Sequence, residues 1–116
     1  MIADRISRFV QDPQSTAQSD LFGELALEAF AFQYEHIAPY RRLCDRRGAT
    51  PGAVADWRDV PPVPTAAFKT LRLSVAPEGQ ETPELFRSSG TTGTGDTAGG
   101  GRSVHHCAYP DLYRQV

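Results

Sequence analysis

Three prolines within four residues, Pro61-Pro62-Val63-Pro64, set the strongest constraint on this chain of 116 residues. A proline inside a helix removes a backbone donor and clashes with the preceding turn, and it pushes its predecessor toward extended geometry. No helix can cross this stretch, so it reads as an extended connector. The chain divides there into an N-terminal helical region, 1–60, and a C-terminal region, 61–116, punctuated like strands and loops.

In the first region Ile2, Ile6, Phe9 and Val10 recur at helical spacing, which predicts a short amphipathic helix ending before Pro13. Ser19 or Asp20 can cap a second helix running to about Ile37. That helix carries two apolar stripes: Leu21, Phe22, Leu25, Ala29 and Phe32 on one side, Leu27, Phe30, Tyr34 and Ile37 nearly opposite. A helix apolar on two sides needs neighbours on both. Pro39 opens a short basic helix that stops at Gly48, and Thr50-Pro51-Gly52 marks a turn before Val54. Arg41, Arg42, Arg46 and Arg47, with Asp45 among them, read as a solvated helix face. Cys44 has no His or Asp arranged to activate it and reads as a small buried hydrophobe.

Beyond the connector, Thr65 can cap one turn through Phe68. Leu71, Leu73 and Val75 alternate with Arg72 and Ser74, which predicts a half-buried strand. Lys69, the single lysine, reads as a surface charge. Glu84-Leu85-Phe86-Arg87 predicts a short strand running directly into Ser88-Ser89-Gly90-Thr91-Thr92-Gly93-Thr94-Gly95. Six of the ten glycines fall between Gly90 and Gly101. Successive backbone N–H groups in such a loop can converge on an anion, and the hydroxyls of Ser88, Ser89, Thr91 and Thr92 add donors, which suits a polyphosphate. A flexible Ser/Gly linker would share the composition, but not the immediate strand before it or the ordered SSGTTG. The Walker pattern requires Gly-Lys, and no lysine follows Lys69. The glycines do not space as GxGxxG.

Composition narrows the classes. Twelve basic against 14 acidic residues, net charge −2, gives no field for nucleic acid. No run approaches the roughly 20 apolar residues of a membrane span, and the start lacks a secretory leader, so a cytoplasmic location is expected. The two cysteines, Cys44 and Cys107, are too few for a disulfide scaffold. In a strand His105 and Cys107 share a face, but a zinc site takes four ligands, so His105-His106-Cys107 reads as local packing near the loop.

The residues 86–94, FRSSGTTGT, resemble the phosphate-loop signature of adenylate-forming enzymes. Together with Trp57-Arg58-Asp59-Val60-Pro61-Pro62-Val63-Pro64, then Phe68-Lys69 and Arg102-Ser103, they resemble the N-terminal part of LuxE-type acyl-protein synthetases, which accompany the fatty-acid reductase system of bacterial bioluminescence. The resemblance implies an α/β chain: a helical region, then the first strands and phosphate loop of an adenylate-forming fold. It implies ATP-dependent activation of a carboxylic, in particular fatty, acid and transfer to a protein thiol, with ATP and Mg²⁺ as cofactors and an acyl-reductase or acyl-transferase as partner. By similarity Ser88, Ser89, Gly90, Thr91, Thr92 and Gly93 cradle the β and γ phosphates, and Arg102 reaches them. Many adenylate-forming enzymes close this loop with Pro-Lys, whereas here residues 96–101 intervene.

The same resemblance places the adenine pocket, acidic metal ligand, acylated cysteine and mobile lobe beyond Val116. This chain is therefore expected to be an incomplete copy holding no catalytic residue, and neither Cys44 nor Cys107 inherits the acyl group. Leu112, Tyr113 and Val116 predict the start of a helix there. Two other functions stay open: an aryl-CoA ligase of the phenylacetate type, and a nucleotide-binding or interaction module without turnover.

Overall fold

The computed structural model describes residues 2–14, 19–77, 79, 82, 84–88 and 103–114. Three helices come first: α1 (Ile2–Gln11), α2 (Ser19–His36) and α3 (Ala38–Arg46). Two 3-10 turns follow at Trp57–Asp59 and Thr65–Lys69, then strands β1 (Glu84–Arg87) and β2 (Val104–Cys107) and a last turn of helix, α4 (Pro110–Arg114). The described part is mixed α/β, with a sheet of two antiparallel strands.

The two stripes of α2 find separate neighbours. Phe30 packs edge-on against Tyr40 of α3 at 6.1 Å and against Tyr34 at 6.4 Å. Phe30 and Cys44 are sealed from water, 2% and 0% exposed, with Tyr40 beside them and Val54, Val60 and Val63 closing the cluster. The Tyr40 hydroxyl donates to Pro61 O at 2.8 Å, fastening the proline connector to this core. On the other stripe, Phe22 meets Phe9 of α1 at 6.2 Å and the edge of Trp57 at 5.2 Å. Arg5 of α1 pairs with Glu28 of α2. The stretch 57–64 thus works as a strap, with Trp57 on one face of α2 and Pro61 and Val63 at the α2–α3 core.

The α2–α3 corner satisfies its own backbone. Helix ends leave unpaired carbonyls, and Arg41 reaches back to two of them, Tyr34 O at 3.0 Å and Glu35 O. Tyr34 donates to Asp45 at 2.5 Å across the same corner. Gly48 ends the segment with φ +64°, the left-handed geometry that glycine adopts without strain. Of the four arginines, Arg42, Arg46 and Arg47 are solvated as expected, while Arg41, also exposed, has this capping role.

Two expectations need correction. Residues 71–75 form no strand: the segment is irregular. Alternation produces a strand only where a neighbouring strand supplies the ladder. Here Leu71 N–H still bonds Ala67 O at 2.9 Å, Arg72 turns to Pro77 O at 3.2 Å, and Ser74 Oγ accepts from Ala76 N–H at 3.2 Å, so the backbone curls. Nor does Thr65 cap its turn; Pro64 holds the cap position, without a side-chain hydrogen bond, because proline's fixed φ suits that entry.

Candidate functional site

The two strands converge on the loop singled out by sequence. β1 pairs with β2 in the register Glu84 to Cys107, Leu85 to His106, Phe86 to His105 and Arg87 to Val104. The next pair outward is Ser88 with Ser103. Ser88 N–H donates to Ser103 O at 3.0 Å, and Ser103 N–H donates to Ser88 Oγ at 2.8 Å. Ser88 and Ser103 therefore form one closed neck at the end of the two strands, with Ser103 buried at it. The Ser88 hydroxyl, expected among the phosphate donors, spends one lone pair on this neck and keeps its O–H for donation. Ser89, Gly90, Thr91, Thr92, Gly93 and Arg102 lie outside the described residues, as do positions 94–101.

Several contacts hold the neck in place. The Phe68 ring stacks on His105 at 4.2 Å, joining the Thr65–Lys69 turn to β2. Glu84 Oε2 accepts from Arg114 at 2.7 Å, joining β1 to α4. Lys69, the last residue of the Thr65–Lys69 turn, is half-buried. His106 points the other way from His105, and burial, with the Arg72 charge nearby, holds its imidazole below the ordinary histidine range and so favours the neutral form.

Behind the hairpin lies a cavity of about 220 Å³. Its walls come from α1 through Ile2 and Ile6, α2 through Ala29 and Phe32, and the irregular segment through Leu73 and Val75. β2 and α4 close it through His106 and Leu112. No Asp, Glu, Lys or Arg lines it. A largely apolar hollow with few polar groups is the usual form of a small-molecule site. Sequence reasoning missed it because five separate segments build it.

Both cysteines are free thiols and buried. Burial pushes the Cys44 thiol up, against the smaller opposing effect of the Tyr40 hydroxyl, which disfavours the thiolate that would attack an acyl group. Cys107 is buried at the end of β2. Among the described residues no group of three or more His, Cys, Asp or Glu side chains could hold a metal ion. Among them too, no helix is long and apolar enough to cross a membrane.

Comparison with known proteins adds an independent line. The family model described as acyl-protein synthetase, LuxE, matches residues 9–102. The long-chain-fatty-acid–luciferin-component ligase of Photorhabdus luminescens is 34% identical over 88 residues, covering 73% of this chain and 74% of that protein. No solved structure matches the chain.

Proposed function

We propose, from the premise that this chain belongs to the LuxE acyl-protein synthetase family, that it forms part of an enzyme activating a fatty acid with ATP and passing the acyl group to a protein cysteine. The observation that carries the reading is the SSGTTG sequence issuing from β1 at a neck closed by Ser88 and Ser103. The named relative acts, by its name, on long-chain fatty acids.

In the first step a carboxylate oxygen attacks the α-phosphorus of ATP; the bond to the bridging oxygen breaks and pyrophosphate leaves, giving an acyl-adenylate. Charge grows on the departing pyrophosphate, and donors already aligned before the reaction stabilise it without reorganising. Backbone N–H groups of Gly90 and Gly93, with the hydroxyls of Ser89, Thr91 and Thr92, are donors of the right chemistry. Mg²⁺, entering with the nucleotide, would supply neutralisation of part of the phosphate charge. In the second step a cysteine thiolate attacks the acyl carbon, the acyl–phosphate bond breaks and AMP leaves. The raised pKa of Cys44 argues for an acceptor elsewhere.

Carboxylate-dependent ATP–pyrophosphate exchange tests the first step. Exchange with saturated fatty acids, and none without acid, is the expected result; no exchange over a broad acyl and aryl panel overturns it. Labelled acid then follows the second step: label released from denatured protein by neutral hydroxylamine marks the thioester, and label on coenzyme A marks the aryl-CoA-ligase chemistry instead.

A further inference from the structure

Away from the hairpin, an open groove of about 790 Å³ runs beside the N-terminal half of α2. Phe9, Phe22, Leu27 and Trp57 give it an apolar bed. Phe22 and Trp57 stay 44% and 38% exposed, where Phe30 of the core is 2%. Their rings touch edge to face, 5.2 Å between centroids, so water meets a contiguous aromatic surface. Aromatic side chains left open inside a polar rim have the anatomy of a protein-docking surface. Gly23 lines the same groove. A glycine within a helix costs about 1 kcal/mol relative to alanine. Outside its own helix, a methyl group here would meet only Trp57 Cδ1, at 3.4 Å, which is an ordinary contact. Among the described residues no packing requires the missing side chain, and its absence keeps the groove floor low.

Charge then selects the occupant. Asp20 and Glu24 line the groove from α2, four residues apart and so on the face that also carries Gly23 and Leu27, while Asp56 lines it from the strap. Arg58 pairs with Asp56 at 3.3 Å and lies over the Trp57 ring at 4.9 Å. Among the described residues no cation pairs with Asp20 or Glu24. We propose that this groove docks a helical segment of a partner protein that presents an apolar anchor with Lys or Arg beside it, one turn apart. The anchor lies on Phe22 and Trp57, and the cations meet Asp20 and Glu24. Two cations four apart on a helix are separated by about 6 Å along its axis, the same rise that separates the two acids. Arg58 already makes, within this chain, both contacts that an incoming cation would make: one to an aromatic ring and one to a carboxylate. The same negative rim repels nucleic acid and anionic lipid. Docking here needs neither ATP nor an acyl group, so it stands apart from the activation reading.

Trp57 is the single tryptophan of the chain, so its fluorescence reads occupancy of the groove directly. The probe is a synthetic helical peptide with a leucine anchor and lysines four residues apart beside it; a matched peptide carries glutamates in their place. The lysine peptide is expected to shift Trp57 emission to the blue, saturably and more weakly as salt rises, while the glutamate peptide leaves it unchanged. Changing Asp20→Asn and Glu24→Gln together should weaken the lysine peptide about tenfold, as expected for losing two exposed ion pairs. Glu35→Gln, which removes an exposed acid at the other end of the same helix, should leave its affinity unchanged. Gly23→Met raises the groove floor with a good helix former and should also weaken binding about tenfold; thermal melting checks that each variant folds. Emission indifferent to both peptides, an equal loss in Glu35→Gln, or an affinity untouched by either groove change overturns the proposal. Spermine closes the test. If that small polycation shifts Trp57 emission and displaces the peptide at the same concentration, the groove is a site for small cations and protein docking falls.

Discussion

Around Phe30 two helices seal an aromatic–thiol cluster from water, whereas at the hairpin two strands of four residues leave Leu85 40% exposed. The first region is stabilised by burial, which is insensitive to small changes in direction. The second depends on a handful of directional contacts: the Ser88–Ser103 pair, the Phe68–His105 stack and the Glu84–Arg114 bridge. Isolated two-stranded hairpins are marginal in water, so this one stands because the helices and α4 back it. Local opening should accordingly begin at the hairpin and cost less than opening the helical core.

The comparison breaks most completely if its stable side is removed. Phe30→Ala empties the core and should cost about 3–5 kcal/mol, read as a drop in urea midpoint, and the hairpin should melt with the helices because α1 and α2 form the wall behind it. A midpoint that barely moves would place the centre of stability elsewhere. Thiol labelling comes next. Cys107 and Cys44 are both buried, but Cys107 is exposed by hairpin opening alone, so mass spectrometry should find it alkylated about tenfold faster or more. Equal rates would mean that the halves open together.

Ser88→Ala sharpens the contrast from the other side. It removes the acceptor for Ser103 N–H, worth about 1 kcal/mol, and should speed exchange of that amide several-fold while core amides keep their protection. Ser88→Thr, which retains the oxygen, should restore it. Protonation of His106 gives the smallest effect. Its folded pKa lies below the ordinary histidine value of about 6.5, so the unfolded chain binds the proton first as pH falls. Stability is therefore full above that value and declines as pH drops through it to the folded pKa. His106→Gln should flatten this part of the profile, measured as urea midpoint against pH.

What could be read in advance follows the range of the interactions. α1, α2 and α3 are written in side chains three and four apart, and the proline connector needs no partner to be extended. The irregular segment 71–75 shows the limit: Leu71, Leu73 and Val75 alternate like a strand, but alternation cannot say whether another strand lies alongside. SSGTTG offers phosphate donors by its chemistry alone, and past Ser88 its residues lie outside the described ones. The pairing of Ser88 with Ser103 was not legible, because it spans fifteen positions and depends on the register of β1 and β2. The cavity was least legible, since Ala29 and His106 meet only through the tertiary fold.

Closing a loop at its base also changes what insertion costs. Once Ser88 and Ser103 fix the two ends, further residues between them add closure entropy only as the logarithm of length. By that scaling, the six residues 96–101 raise a loop of eight to fourteen for about 0.5 kcal/mol. A pinned neck lets the length between its two ends vary cheaply. Relatives can then differ in how long this loop is without having to rebuild the strands that carry it.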